Sequence, residues 1–248
     1  MDQKFLYNNQ FNQEKELIKA GVNIVNKRDK YLINEIQNFI KQEKLIRVIE
    51  LSIGDGSLSL DLLNKIESIE LTCVDISSSR INFLKRNVTS LNDVNIKFIE
   101  CNFDTQFNEI QSSYYDVVIA FDIMEHVFDV FGFITNCYRI LKNKGIIFLR
   151  VPNIAYIRHR MNLLFGKLPI TSSWFGERNN YKAWREFYGW DGGHLHYFTI
   201  SALHKLFLES GFEIMKLSDH GARFNLIRNF FPNMLYSNPI VVATKNEK

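Results

Sequence analysis

The 248-residue sequence contains only four prolines, three cysteines and no low-complexity tract, and each scarcity excludes something. With few prolines and no polar linker, nothing marks a domain boundary, so residues 1–248 are expected to form one domain. The cysteines, Cys73, Cys101 and Cys137, are odd in number and lack metal-ligand spacing, and each lies in or beside an apolar run. Buried, reduced thiols in a reducing cytoplasm are the expectation. No apolar run approaches the roughly 18 residues that a bilayer span needs, and the opening MDQKFLYNNQ has neither the apolar stretch nor the small-residue cleavage site of a signal peptide. A cytoplasmic chain with no membrane partner is expected. An excess of one charge is also missing, since 30 basic against 27 acidic residues leave +3. No block of Lys and Arg forms a stripe for a phosphate backbone, which argues against duplex nucleic acid. The remaining composition, 46 % hydrophobic and 23 % charged, is that of a globular protein with enough apolar surface for a core.

Apolar residues at helical spacing between positions 14 and 44 (Leu17, Ile18, Val22, Val25, then Tyr31, Leu32, Ile36, Phe39, Ile40) predict an N-terminal helical segment over 1–44. From Leu45 the period changes. IRVIELS reads as a strand ending in the turn Ile53, Gly54, Asp55, Gly56, and LSLDLLNKI resumes helical spacing. LTCVDI, NIKFIEC, YDVVIAF and GIIFLRV read as four further strands. Ser77 is the N-cap of one intervening helix, and a second, from Val127 to Leu141, is stopped by Gly145. This alternation over 45–153 predicts an α/β fold, a doubly wound and mostly parallel sheet, because right-handed crossovers place a helix between successive parallel strands. Residues 154–193 break the rhythm with a helix, IRHRMNLLFGK, and a stretch holding Trp174, Trp184 and Trp190, an aromatic lid insertion. Over 194–248 come a helix capped by Thr199 and ended at Gly211, then two closing strands, FEIMKLSDH and IVVATK. No long helix joins the last two, so an antiparallel last strand is expected, making seven in all.

In such sheets ligands bind outside the carboxyl ends of the strands. Gly54 and Gly56 allow close approach of a ligand to backbone N–H groups, and Asp75, 19 residues beyond Gly56, stands near the spacing at which a carboxylate reaches ribose hydroxyls. Ser59 stands where a dinucleotide fingerprint has its third glycine, which disfavours a nicotinamide oxidoreductase. Glu50, placed in the turn region, suits a cationic amine. His126 follows the fourth strand and is the first candidate base. His194 and His196 are alternate residues that would point the same way in an extended segment. Arg158 and Arg160 are candidates for a phosphate or carboxylate, and Trp174 and Trp190 for stacking on a sugar.

These residues resemble the class I S-adenosylmethionine-dependent methyltransferases. VIELSIGDGSL is similar to their first motif, LTCVDIS to the second, IECNFD to the third and YDVVIAFDIMEHV to the fourth. RVPNIAYIRHRMNLLFGKLPIT resembles the methionine-biosynthesis protein W group, and GGHLHYFTISALHKLFLESGF is similar to a segment of small-molecule O-methyltransferases. The resemblance implies S-adenosylmethionine as cofactor, with Glu50 and the Ser52 to Gly56 backbone at the methionine moiety and Asp75 at the ribose. Ile76, Asn102 and Phe103 would meet adenine, and Phe121 and Asp122 would close the site beside the sulfonium. Ser52 and Asn102 replace the family's usual Gly and Asp. Asp122, Glu125 and His126 form a D-x-x-E-H pattern resembling the E-x-x-E-H metal motif of ubiquinone-biosynthesis O-methyltransferases, although no metal is predicted. The expected reaction is O-methylation of a small polar metabolite bearing a phosphate or sugar. Its rivals are a non-catalytic regulator or partner subunit of a metabolic acyltransferase, and the disfavoured oxidoreductase. The expected partner is a small-molecule acceptor, with a homodimer left open.

Overall fold

The computed structural model describes residues 4–5, 7–8, 27–40, 45–88, 95–172, 191–219 and 225–246. Positions 14–26 of the expected N-terminal helical segment and the lid residues Trp174, Trp184 and Trp190 lie outside the described residues.

Helix α1 (Lys27–Ile40) buries Leu32, Ile33 and Ile36 on one face. The core then runs β1 (Ile46–Leu51), α2 (Ser57–Lys65), β2 (Ile69–Asp75), α3 (Ser78–Val88), β3 (Asn95–Glu100), β4 (Tyr115–Phe121), α4 (Val130–Ile140) and β5 (Leu141–Arg150). It continues through α5 (Ile157–Leu164), α6 (Ile200–Glu209), β6 (Phe212–Ser218), two short helices α7 (Asn225–Phe230) and α8 (Pro232–Leu235), and β7 (Ile240–Lys245). The seven strands lie in the order β3-β2-β1-β4-β5-β7-β6. Strands β1 to β5 pair in parallel, and β7 runs antiparallel to both β5 and β6. The expected antiparallel strand is therefore β7, inserted between β5 and β6. Among the described residues, the chain between β6 and β7 holds α7 and α8, both too short for a crossover helix, and the two strands pair as neighbours.

Central strands buried on both faces read as continuous apolar runs, and adjacent residues face opposite layers. Ile49, Val118 and Ala120 pack with Phe133, Ile134 and Cys137 of α4 and Leu203 and Phe207 of α6. Val48, Val117 and Ile119 face the other layer, where they join Leu32, Ile36, Leu62, Ile81 and Leu84. All three cysteines are free and buried. Ser77 Oγ accepts from Arg80 N (3.3 Å) and Thr199 Oγ1 from Ala202 N (3.1 Å), as their cap positions predict. Gly145 does not stop α4, which ends at Ile140 with β5 starting at Leu141. Gly145 instead leaves room inside β5 and toward β4: a Cβ there would stand 2.9 Å from Lys142 O of its own strand and 3.2 Å from Asp116 O of β4.

Winding reverses between β1 and β4, which pair with each other while the chain visits β2 and β3 on the far side. The crevice at such a switch point opens above the carboxyl ends of these strands.

Candidate active site

The turn after β1 is built from three left-handed residues, Ser52 (φ 70°), Gly54 (φ 57°) and Gly56 (φ 80°). A Cβ on Gly54 would meet no atom within 4 Å, so its backbone faces open space, whereas one on Gly56 would stand 3.0 Å from Leu84 Cδ1. Ser52 stands in a glycine conformation at a cost of ~1 kcal/mol. Ser52→Gly is therefore expected to raise the unfolding free energy by about 1 kcal/mol in urea titration. Glu50 is not in this turn. It is the penultimate residue of β1, 4 % exposed, and accepts a hydrogen bond from the hydroxyl of Ser59, the residue at the missing third glycine. That bond ties α2 to β1, a role a glycine could not fill.

Asp75, 3 % exposed at the end of β2, joins the turn to the start of α3. Its Oδ2 accepts from Ile53 N (3.1 Å) and its Oδ1 from Ser77 N (2.8 Å). Burial pushes this carboxyl up, opposed by the Arg80 guanidinium and the backbone N–H groups. Ile76 follows it, half-buried. After β3, Asn102 Oδ1 accepts from Asp104 N (3.0 Å), and the Phe103 ring turns into the core, 5.0 Å from Phe107 and 5.6 Å from Phe133. Asp104 Oδ1 accepts from Phe128 N (2.8 Å), fastening this loop to the one after β4. Phe121 lies under the Arg150 guanidinium at 5.2 Å. Asp122, with φ 53°, accepts from Arg150 Nε (2.8 Å). The D-x-x-E-H pattern thus loses its first member to an ion pair with Arg150, which no sequence feature singled out.

A second cluster forms at the end of β4, where Met124–His126 makes a 3₁₀ turn. Glu125 is 1 % exposed and neither carboxyl oxygen has a hydrogen-bond partner among the described residues. Burial, with Asp191 nearby, raises its carboxyl to about 8, so it is protonated at neutral pH. Burial and the adjacent His194 lower His126 to about 4, leaving it neutral. Its Nδ1 lies 3.2 Å from Gly193 O; a carbonyl only accepts, so the proton is on Nδ1 and the lone pair on Nε2. His194 is held in the same tautomer. Asp191 accepts from Thr171 Oγ1 (2.6 Å), Thr171 N and Ser172 N. The single Thr171 proton is used there, so Thr171 Oγ1 accepts from His194 Nδ1 at 2.7 Å. His194 Nε2 then points at Glu125, 4.0 Å from Oε1, and the two imidazoles meet edge to face at 4.8 Å. Although Asp191 is buried, its hydrogen bonds from Thr171 and Ser172 hold its carboxyl below the usual range.

Glu125 makes the stability of the fold depend on pH. Its carboxyl ionises near 4.5 in the unfolded chain and near 8 when folded. The stability it contributes is complete below pH 4.5 and is lost as pH rises through 8. Glu125→Gln removes that slope, so it should gain on the wild type by on the order of 4 kcal/mol between those limits. Urea denaturation of chelator-treated protein at pH 5 and 8 checks this, and a pH-independent difference would contradict it.

His196 does not join His194. Both Leu195 N and His196 N donate to Glu125 O (2.8 and 3.2 Å), so the segment bends around one carbonyl instead of extending, and the His196 ring turns to Phe198. Arg158 and Arg160 do not converge either. Two residues apart on α5 they diverge, both exposed, and Arg160 Nε donates to Ala155 O (2.6 Å); His159 between them is the buried one. Trp174 and Trp190 lie outside the described residues. Sequence reasoning missed Thr171 and Asp191. The Asp191-Gly192-Gly193 turn, with φ 66° and 80° at the glycines, was the available signal. Glu125, His126 and His194 bring ligand-type atoms within 4.8 Å of one another, an arrangement that fits a divalent cation.

A family model for a methyltransferase domain matches residues 24–217, and the chain belongs to the class I S-adenosylmethionine-dependent methyltransferases. The chain is 27 % identical over 140 residues to probable polyketide synthase 10 of Dictyostelium discoideum, covering 51 % of this chain and 6 % of that protein. It is 23 % identical over 206 residues to the ubiquinone biosynthesis O-methyltransferase of Rickettsia typhi (strain ATCC VR-144 / Wilmington), covering 82 % of this chain and 73 % of that one. A solved S-adenosylmethionine-dependent methyltransferase of Methanosarcina mazei shares the fold with a TM-score of 0.60 at 17 % identity, over 86 % of this chain and 98 % of that one. The chain spans 6 % of the first polyketide synthases it matches and 49 % of the first ubiquinone enzyme. S-adenosylmethionine is the cofactor of this family, and the nicotinamide alternative falls away. No helix among the described residues is long and apolar enough to cross a membrane.

Proposed function

We propose that this chain moves the methyl group of S-adenosylmethionine to a hydroxyl oxygen of a small polar acceptor. The cofactor lies along the carboxyl edge. The Ser52 to Gly56 amides and Glu50 serve its methionine end, Asp75 its ribose, Ile76, Asn102 and Phe103 its adenine, with Phe121 and Asp122 beside the sulfonium. The acceptor oxygen attacks the methyl carbon in line with the departing sulfur, the C–S pair goes to sulfur, and the hydroxyl proton goes to a base.

One observation carries this reading: a buried imidazole with its lone pair turned inward and its far nitrogen backed by Thr171 and ionised Asp191. Charge forming on His194 meets a carboxylate 3.7 Å away. His126 has a carbonyl behind it, and burial beside His194 holds it below the usual imidazole range, so the base role passes from His126 to His194. The dispersal of Arg158 and Arg160 withdraws the support they offered for a phosphate on the acceptor. A second reading rests on the Glu125 carboxyl, which has no hydrogen-bond partner among the described residues: Glu125, His126 and His194 would hold a divalent ion, which when bound would supply acidification of the acceptor hydroxyl.

Calorimetry with S-adenosylhomocysteine, followed by assay of its formation from S-adenosylmethionine with a panel of phenols, polyols and amines, tests the proposal. Binding with turnover of hydroxyl acceptors is expected. Turnover of amines alone would overturn the O-methylation, and binding without any turnover would favour the non-catalytic alternative.

A further inference from the structure

Arg150, the last residue of β5, takes no part in the reaction described above, yet it fixes Asp122 from both side chain and backbone. Its Nε donates to Asp122 Oδ1 (2.8 Å) and its Nη2 pairs with Oδ2, while Asp122 N donates to Arg150 O (2.9 Å). The guanidinium lies over the ring of Phe121, the register partner of Arg150 between β4 and β5. A left-handed conformation at a residue other than glycine persists where its surroundings over-determine it, and these contacts hold Asp122 at φ 53°. The two halves of the pair differ in burial. The side chain of Arg150 is 13 % exposed and that of Asp122 41 %, so the carboxylate is the outer half and the cation the inner one. Neither Glu125 nor His126, three and four residues further on, carries charge at neutral pH.

We propose that Arg150 is a specificity-determining residue, which cancels the charge of Asp122 at the methyl-transfer end of the crevice and so suits the site to oxygen acceptors over amines. This rests on the reading that Asp122 stands beside the sulfonium. A bare carboxylate there would stabilise the cationic sulfur of the bound cofactor. When a hydroxyl is methylated, the C–S pair neutralises the sulfur and the proton goes to His194, so the positive charge leaves this end. The carboxylate would then favour the ground state over the transition state and slow the transfer. An amine instead takes the positive charge onto its own nitrogen, beside the departing sulfur, where the same carboxylate would assist it. Pairing with Arg150 removes that advantage.

The test is calorimetry of the full chain with S-adenosylmethionine, which is cationic at sulfur, and S-adenosylhomocysteine, which is not, with thermal unfolding recorded for each variant. Arg150→Met bares the carboxylate and is expected to raise the ratio of the two affinities about tenfold in favour of S-adenosylmethionine, a shift of the order that a unit charge within about 10 Å produces near a protein surface. Asp122→Asn leaves the guanidinium uncompensated and is expected to move the ratio about tenfold the other way. Arg150→Lys keeps the charge and should stay within about threefold of the wild type. A loss of structure alone lowers both affinities together and does not produce opposite shifts. With the panel of phenols, polyols and amines, Arg150→Met should raise turnover of amines relative to hydroxyls about tenfold, and an unchanged preference would overturn the selection of oxygen acceptors. If the wild type binds both ligands and the affinity ratio is unmoved in Arg150→Met and Asp122→Asn, the role of Arg150 is overturned while the cofactor reading stands. If the wild type binds neither, both fall. Should Arg150→Met not fold, the shift in Asp122→Asn decides.

Discussion

Asp75→Ala is expected to weaken S-adenosylhomocysteine binding at least about 100-fold, because two charge-assisted bonds to ribose hydroxyls are each worth roughly 1.5 kcal/mol or more. The same carboxylate accepts from Ile53 N and Ser77 N in a buried setting. The alanine variant therefore leaves those N–H groups unpaired and should also lose ~3 kcal/mol of stability. Asp75→Asn separates the two effects. Its amide oxygen can still accept one of the backbone bonds, so it should fold closer to the wild type while its affinity remains low. Calorimetry paired with urea denaturation reads both quantities. Unchanged affinity in the asparagine variant would remove Asp75 from the ribose.

His194→Ala should lower turnover by about 10² to 10³, the range for loss of a general base, with cofactor affinity nearly intact. His126→Ala should cost much less, because its imidazole has no carboxylate behind it to stabilise a proton. Thr171→Val interrupts the link between His194 and Asp191 and should reproduce part of the His194 loss. Turnover numbers for the three variants, measured at saturating S-adenosylmethionine, rank the roles. Equal losses at His126 and His194, accompanied by loss of a bound divalent ion in metal analysis, would favour the metal reading over the base.

The sheet was legible because burial on both faces forces apolar runs, and a run such as LTCVDI between two helical patterns reads as an interior strand. The turn after β1 was legible from its glycines, yet the conformation of Ser52 and the engagement of Glu50 with Ser59 were not. Both depend on how α2 docks against β1. The buried carboxyls, imidazoles and hydroxyl of the second cluster come from positions 125–126, 171 and 191–194, and nothing in their spacing brings them together. His194 and His196 illustrate the limit: alternation puts two side chains on one side only if the backbone is extended, and the shared acceptor Glu125 O bends it. Arg150 likewise escaped notice, although its pairing with Asp122 keeps this carboxylate out of the group formed by Glu125, His126 and His194.

The chain's own periodicity and strand-end residues determined the fold class, the edge at which a nucleoside cofactor would bind and the carboxylate proposed for its ribose, since these follow from local pattern and from the rule that parallel strands point their carboxyl ends one way. Only the tertiary structure decided which histidine faces inward, which tautomer it holds and which acid stays protonated. Those properties are set by burial and by hydrogen bonds between segments far apart in the chain.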